Sequence, residues 1–351
     1  MKYRINYKML CLIIAGAVLV VLLIRGTVIS CRQRQEEAAA PEVVSVTMVP
    51  TAAPTLIAVD YTTISSVKIK VYMTDEDKLV EMPLEEYLVG VVSGEMPASY
   101  EFEALKAQAV ASRTYSVYSI IHHGCGSHED ADICTNSSCC QAYSSLAKRE
   151  QKWGDSFIYY NNLITRAVLE TANEVLLYEG RPIEALYHAA SGGYTENSEN
   201  VYSEALPYLR SVLSDNETGS RQTGSVTFAY SNFVDMVNLA YPQAELTVEN
   251  VAREVEILSV YESGRVESLR LGQTVISGKQ ARRLFSLDST MFEIELLPTS
   301  VTFNTKGFGH GVGLSQSGAN GMAQGGSGYL EILLYYYTGV ELGKLTEEMM
   351  G

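Results

Sequence analysis

The stretch Val91-Val92-Ser93-Gly94-Glu95-Met96-Pro97-Ala98-Ser99-Tyr100, continued by EFEALKAQAVASRTYSVY over 101–118, decides how this chain is read. The apolar run from Leu84 to about Gly94 predicts a short helix that stops at Gly94 and Pro97, residues suited to a tight turn. A longer helix is predicted from Glu101 to about His122. Its apolar stripe is Ala107, Val110, Thr114, Val117 and Ile121, spaced by threes and fours. Ser99 is its expected N-cap, and Glu101 and Glu103 suit the positive end of its dipole. Glu95 is thereby placed between two helices. A general acid there needs an apolar surround to raise its pKa, because the dipole of the following helix favours the anion. The plainer reading is a negative charge set ahead of that helix.

Outward from this pair, Val67–Met73 alternates as a strand. A helix is expected near Leu163–Ala172, then strands at Val175–Tyr178 and Ile183–Ala189 joined by a hairpin at Glu179-Gly180. Residues 255–278 read as strands turning at Ser263-Gly264 and Gly272. Lys279–Phe285 reads as helix, Phe292–Leu296 and Val301–Asn304 as strands, and Leu314–Gln324 and Tyr329–Tyr337 as short helices. No regular βαβ alternation occurs, so the fold class is α+β: mixed helices and antiparallel strands in one elongated body with a substrate groove.

The 351 residues carry a net charge of −15, unevenly spread. Residues 1–40 hold six basic and two acidic residues, so that end is +4 and the rest is −19. So acidic a body is a poor nucleic-acid binder. Met9–Ile24 is uncharged and nearly all apolar, about 24 Å of helix, and Lys8 and Arg25 extend it by snorkelling. The expected order is a cytoplasmic tail (1–8), a retained transmembrane signal-anchor (9–25), a Pro- and Ala-rich stalk (26–65), the catalytic body (66–343) and a short tail (344–351). The body of this single-pass protein is expected outside the cell membrane.

Four groups of residues bear chemistry besides Glu95. Lys106 and Arg113 lie seven apart on one helix face with Gln108 nearby, either holding a polar ligand or forming a solvated face. His128, Cys134, Cys139 and Cys140, with Cys125 just upstream, have spacings that close a tetrahedral Zn²⁺ site, one mainly structural ion. A disulfide is the alternative outside a membrane, and adjacent Cys139 and Cys140 fit one ion poorly. His188-Ala189-Ala190-Ser191-Gly192-Gly193 ends a predicted strand, and Glu196 follows as a second carboxylate or as loop solvation. In Gly307-Phe308-Gly309-His310-Gly311-Val312-Gly313 the phosphate-loop register fails. Close backbone packing there is expected to set His310 and Gln316 on a groove.

VVSGEMPASYEFEALKAQAVASRTYSVY (91–118), HAASGGYTENSENVYSEALPYLRSV (188–212) and GFGHGVGLSQSGANGMA (307–323) together resemble the stage II sporulation protein D family, over about residues 66–343. The resemblance implies a lytic transglycosylase acting on peptidoglycan glycan strands free of stem peptides, during engulfment in endospore formation. It would cut between N-acetylmuramic acid and N-acetylglucosamine with Glu95 as the catalytic acid and base. One carboxyl suffices when the muramic C6 hydroxyl closes a 1,6-anhydro ring, whereas an ordinary glycosidase needs two. The resemblance also implies zinc on His128, Cys134 and Cys140, with Cys139 where relatives offer a second histidine. Arg113, Tyr115, His188, Ser191 and Gly192 match polar positions of the family's groove. The implied partners are an amidase/endopeptidase and a membrane protein of the engulfment complex. Two other readings stay open: a wall-binding activator of a partner amidase that cuts nothing, and a glycan hydrolase using Glu95 with Glu196.

Overall fold

Alternation in β1 (Lys68–Met73) turns Ile69, Val71 and Met73 inward. β1 pairs antiparallel with β2 (Lys78–Pro83), in register from Lys68↔Pro83 to Met73↔Lys78. β2 runs directly into α1 (Leu84–Glu95), and the turn after it leads to α2 (Phe102–Ile121). The computed structural model describes residues 55–122, 124–217 and 222–350. The anchor expected over 9–25 lies outside them, and among the described residues no helix is long and apolar enough to cross a membrane.

The α2 sequence reads as amphipathic, yet twelve of its twenty residues are buried, Gln108, Ser112, Arg113 and Ser116 among them. A helix enclosed on nearly every side is a core helix, and small side chains let neighbours approach it. Around it pack α1, α4 (Phe157–Glu170), β4 (Glu174–Tyr178), α7 (Gln316–Gln324) and α8 (Tyr329–Tyr336). Between α2 and α4 lie the cysteine loop with the two-residue strand β3 (Ile133–Cys134), parallel to β1, and then α3 (Leu146–Trp153). β4 turns through Glu179 and Gly180, both with positive φ, into β5 (Arg181–Pro182), and takes β14 (Glu341–Lys344) on its other edge. β6 (Tyr187–His188) pairs in parallel with β13 (Leu314–Ser315).

A second core is built from the intervening chain. β7 (Thr223–Ala229), β11 (Phe292–Leu296) and β12 (Ser300–Lys306) form one antiparallel sheet, and β8 (Val255–Val260), β9 (Val266–Leu271) and β10 (Thr274–Ser277) form another. With α5 (Tyr230–Ala240) and α6 (Gly278–Leu284) they enclose a phenylalanine cluster. Phe285 stacks on Phe233 and Phe303, with ring centroids 5.2 and 4.7 Å apart. The α+β expectation holds: among the described strands, pairing is antiparallel except for β1·β3 and β6·β13.

Several local expectations change. Ser99 caps nothing: Glu101 is the N-cap of α2, and its N–H donates to Asn320 Oδ1 at 2.8 Å. The strand expected over 183–189 shrinks to β6, because its only ladder partner is the two-residue β13. The stretch read as the end of a stalk is docked: Ile57 N–H donates to Asn162 Oδ1, and Tyr61 packs against the first core. At the other end Leu345, Met349 and Met350 also pack on that core.

Candidate active site

Glu95 is the last residue of α1, so the helix that bears on it is its own. The carboxyl sits at the negative end of that dipole, which disfavours the anion. This reverses the sign expected from the helix that follows. Two glycines one turn apart prepare the place. A Cβ on Gly90 would meet the Tyr143 ring at 2.1 Å, and one on Gly94 would meet the Tyr143 backbone at 2.9 Å. Segment 141–144 therefore lies directly against α1. Ser144 N–H donates to Gly90 O at 2.9 Å, and Ala142 N–H to Glu95 Oε1 at 2.6 Å. Gln316 Nε2 reaches Glu95 Oε2 at 3.2 Å and Gln108 Oε1 at 3.3 Å.

Glu95 is half-buried on the wall of a groove of about 950 Å³. Burial raises its pKa above the usual carboxylate range, against hydrogen bonds from Ala142, Gln316 and Tyr187 that lower it. The result is a carboxyl able to hold its proton and, having given it away, to be stabilised by donors already in place.

The three sequence motifs meet here. Ala190 bridges Phe308, Glu196 bridges Val312, and Ser317 N–H donates to Ala189 O at 2.9 Å, which zips the second motif to the third. Gln316 then ties both to Glu95. Tyr115, His188, His310 and Gln316 line the groove. His188 Nδ1 faces Val312 O at 3.2 Å, and burial with the charges of His310 and Arg265 drives its pKa well down. Its ring is neutral, with Nδ1 carrying the proton. His310 Nδ1 accepts from Val312 N–H at 3.1 Å, and burial, Arg282 and Arg265 push its pKa down to about 4.

Other candidates fall elsewhere. Arg113 is fully buried, with Nε 2.8 Å and Nη2 2.7 Å from the two oxygens of Glu85, and it also donates to Glu174 O and Val168 O. It fastens α2 to α1, α4 and β4 and does not line the groove. Lys106 sits near the start of α2, 3.2 Å from Glu103 and over the Tyr329 ring, and is likewise outside the groove lining. Ser191 and Gly192 offer their backbone N–H groups to the Glu217 carboxylate at 2.7 and 3.0 Å. That carboxylate also accepts from Ser315 Oγ at 2.5 Å, so these residues form an internal clasp.

The cysteine loop closes differently from its spacing. The Sγ atoms of Cys125, Cys134, Cys139 and Cys140 all lie within 4.8 Å of one another. Cys134–Cys140, Cys125–Cys140 and Cys125–Cys139 are 3.5, 3.6 and 3.7 Å apart. A tetrahedral ion with bonds of about 2.3 Å has ligands about 3.8 Å apart, so this donor set fits zinc. The sulfurs are too far apart for a disulfide, and all four cysteines are free. His128 is not among them. Two turn hydrogen bonds, His128 N–H to Cys125 O and Ala131 N–H to His128 O, carry its ring out onto Tyr72, 3.6 Å away and stacked.

Sequence reasoning passed over Tyr187, Gln141, Arg265 and Arg282, all of which line the groove. Arg265 directly follows the Ser263-Gly264 turn, a position whose only signal was a cation in an acidic stretch.

An α+β body with a raised carboxyl held by three hydrogen-bond donors in a polar groove has the form of an acid–base site. Residues 72–178 match the family model described as Stage II sporulation protein. The chain is 34% identical over 283 residues to stage II sporulation protein D of Bacillus amyloliquefaciens, covering 80% of each chain. The corresponding protein of Bacillus subtilis (strain 168) is 34% identical over 281 residues, again 80% of each. The Bacillus subtilis protein named amidase enhancer is 28% identical over 303 residues, 73% of this chain and 40% of that one. The chain belongs to the stage II sporulation protein D family.

Proposed function

We propose that this protein is a lytic transglycosylase of peptidoglycan glycan strands, with Glu95 as sole acid and base. The observation that carries this reading is the contrast between Glu95 and Glu196, two of the four carboxylates that line the groove and the two that a paired mechanism would use. Glu95 has its pKa raised by burial and faces open groove. Glu196 is almost wholly buried and fully engaged: Oε1 accepts from Asn197 N–H at 2.8 Å and Asn200 Nδ2 at 2.9 Å, and Oε2 from Ser263 Oγ at 2.5 Å. A carboxylate so occupied is a poor base for water, which speaks against the two-carboxylate hydrolase.

In this scheme protonated Glu95 gives its proton to the glycosidic oxygen as the C1–O bond of N-acetylmuramic acid breaks. The resulting carboxylate, steadied by Ala142 and Gln316, takes the proton of the C6 hydroxyl as O6 bonds to C1. The products are a 1,6-anhydro-muramyl end and a new N-acetylglucosamine end, and Glu95 recovers its proton.

Zinc on Cys125, Cys134, Cys139 and Cys140 would be structural, because four thiolates leave no open position. Cys140 stands two residues before Ala142, so the metal loop would hold the donor to Glu95 in place. Protein purified without added zinc is expected to carry one zinc per chain by X-ray fluorescence. Chelation is expected to lower both Tm and glycan cleavage, and a Cys–Cys disulfide found by mass spectrometry would contradict the site.

The names of the relatives support a role in sporulation; engulfment as its stage, with the body held outside the cell membrane by the apolar run within residues 9–25, is proposed from the sequence resemblance and that run. The relative named amidase enhancer favours a partner amidase; stem-peptide removal by that amidase, and a membrane protein beside it, are what the sequence resemblance adds to the proposal. Purified protein that cuts no amidase-stripped sacculi in the presence of zinc would turn the assignment to a binding partner.

A further inference from the structure

The second core lends this groove three cations, Arg265, Arg282 and Lys279. Arg265 is the decisive one. It is 1% exposed, yet only Nη2 has a protein acceptor, Ser191 O at 2.6 Å. Its Nε and Nη1 are buried without a partner, and so is Nε2 of His188 on the same groove. A Cβ on Gly311 would meet the guanidinium carbon at 2.3 Å, so glycine there lets the backbone lie against the charged plane. Glu196 and Glu217 are the countercharges that act on it, but the oxygens of Glu196 are taken by Asn197, Asn200 and Ser263, and those of Glu217 by Ser191, Gly192 and Ser315. Glu267, two residues on and also in the lining, is exposed.

Buried guanidinium groups ordinarily end on a carboxylate. Here the donors have none from the protein, and a neutral imidazole acceptor shares their groove. That combination suits a ligand carboxylate flanked by a hydroxyl or an acetamido N–H. A glycan of alternating N-acetylglucosamine and N-acetylmuramic acid has one ionisable group per repeat, the lactyl carboxyl on the muramic 3-oxygen. It is anionic only where no stem peptide is amide-linked to it.

We infer that Arg265, with Arg282 and Lys279, forms a subsite for the free lactyl carboxylate of a stripped muramic residue, with His188 Nε2 accepting from the same or the adjoining sugar. The inference rests on the glycan-cleaving reading and adds its specificity determinant. A stem peptide in amide linkage removes the charge that this subsite binds and adds bulk beside it.

The test measures binding apart from cleavage. Full-length Glu95→Gln protein is titrated with three oligosaccharides of equal length: peptide-free glycan with its lactyl acids, the same glycan with those acids converted to primary amides, and an N-acetylglucosamine oligomer. The acid form is expected to bind at least about tenfold more tightly than the other two, by less at high salt. Equal affinity for acid and amide overturns the subsite. Arg282→Gln and Arg265→Gln, each shown folded by near-UV circular dichroism, should bring the acid form down to the affinity of the amide. An undiminished preference for the acid in both also overturns it. An acid preference in a protein whose wild type cuts nothing would keep the subsite and remove the transglycosylase. Cleavage without an acid preference would do the reverse.

Discussion

Arg113 and Arg265 are the two largest fully buried side chains of the described residues, and their surroundings differ in kind. Arg113 ends on Glu85 through a bidentate pair and on two carbonyls besides. Its charge is spent inside the first core. Arg265 holds one carbonyl and keeps two N–H groups without a protein acceptor, at a groove. Burial depresses its pKa to about 10, so it remains a cation at neutral pH. The first arginine is there for the fold. The second is maintained at some cost to the fold, as residues that meet ligands often are.

The largest effect expected from this contrast is on stability. Arg113→Met leaves Glu85 buried without its partner, a loss of about 3–5 kcal/mol, or about 6–20 °C in Tm by calorimetry. Arg265→Gln removes a charge that has no bonded counterion, so its stability should stay within about 1 kcal/mol of wild type while glycan affinity falls about tenfold. A large Tm loss in Arg265→Gln with unchanged affinity would erase the distinction between the two arginines.

A smaller effect concerns Glu95. Its pKa is raised in the folded state. Native protein therefore binds this proton more readily than unfolded chain does, a contribution present below the unfolded value of about 4.3 and lost as pH rises through the folded value. Wild type should fall behind Glu95→Gln in stability over that rise, measured as Tm against pH. The rate of glycan cleavage should decline over the same interval, as the acid form is depleted.

The contrast also shows what a sequence of this kind reveals. The helix pair around Glu95, the hairpin at Glu179-Gly180 and the strands of the second core other than β7 were legible because periodicity and turn residues act locally. Arg113 was misplaced because seven-residue spacing puts it on the face of Lys106 without saying what covers each turn. Lys106, near the helix start, meets Glu103 and Tyr329, whereas Arg113 meets Glu85 beneath α4 and β4. The metal loop was legible as thiol-rich, but spacing could not tell that the tight turn at 125–131 points the Cys125 sulfur inward and the His128 ring outward. Arg265 belongs to no motif. Its meaning comes from Gly311 and Ser191, distant in sequence, closing around it.

Central to this account is that Glu95 alone performs both proton transfers. The direct measurement is the product spectrum on amidase-stripped glycan, by mass spectrometry, for wild type and for Glu95→Gln with its fold verified. The account predicts 1,6-anhydro-muramyl ends from wild type and none from the variant. Anhydro products released by Glu95→Gln at the wild-type rate, or reducing ends from wild type that vanish in Glu196→Ala, would contradict it.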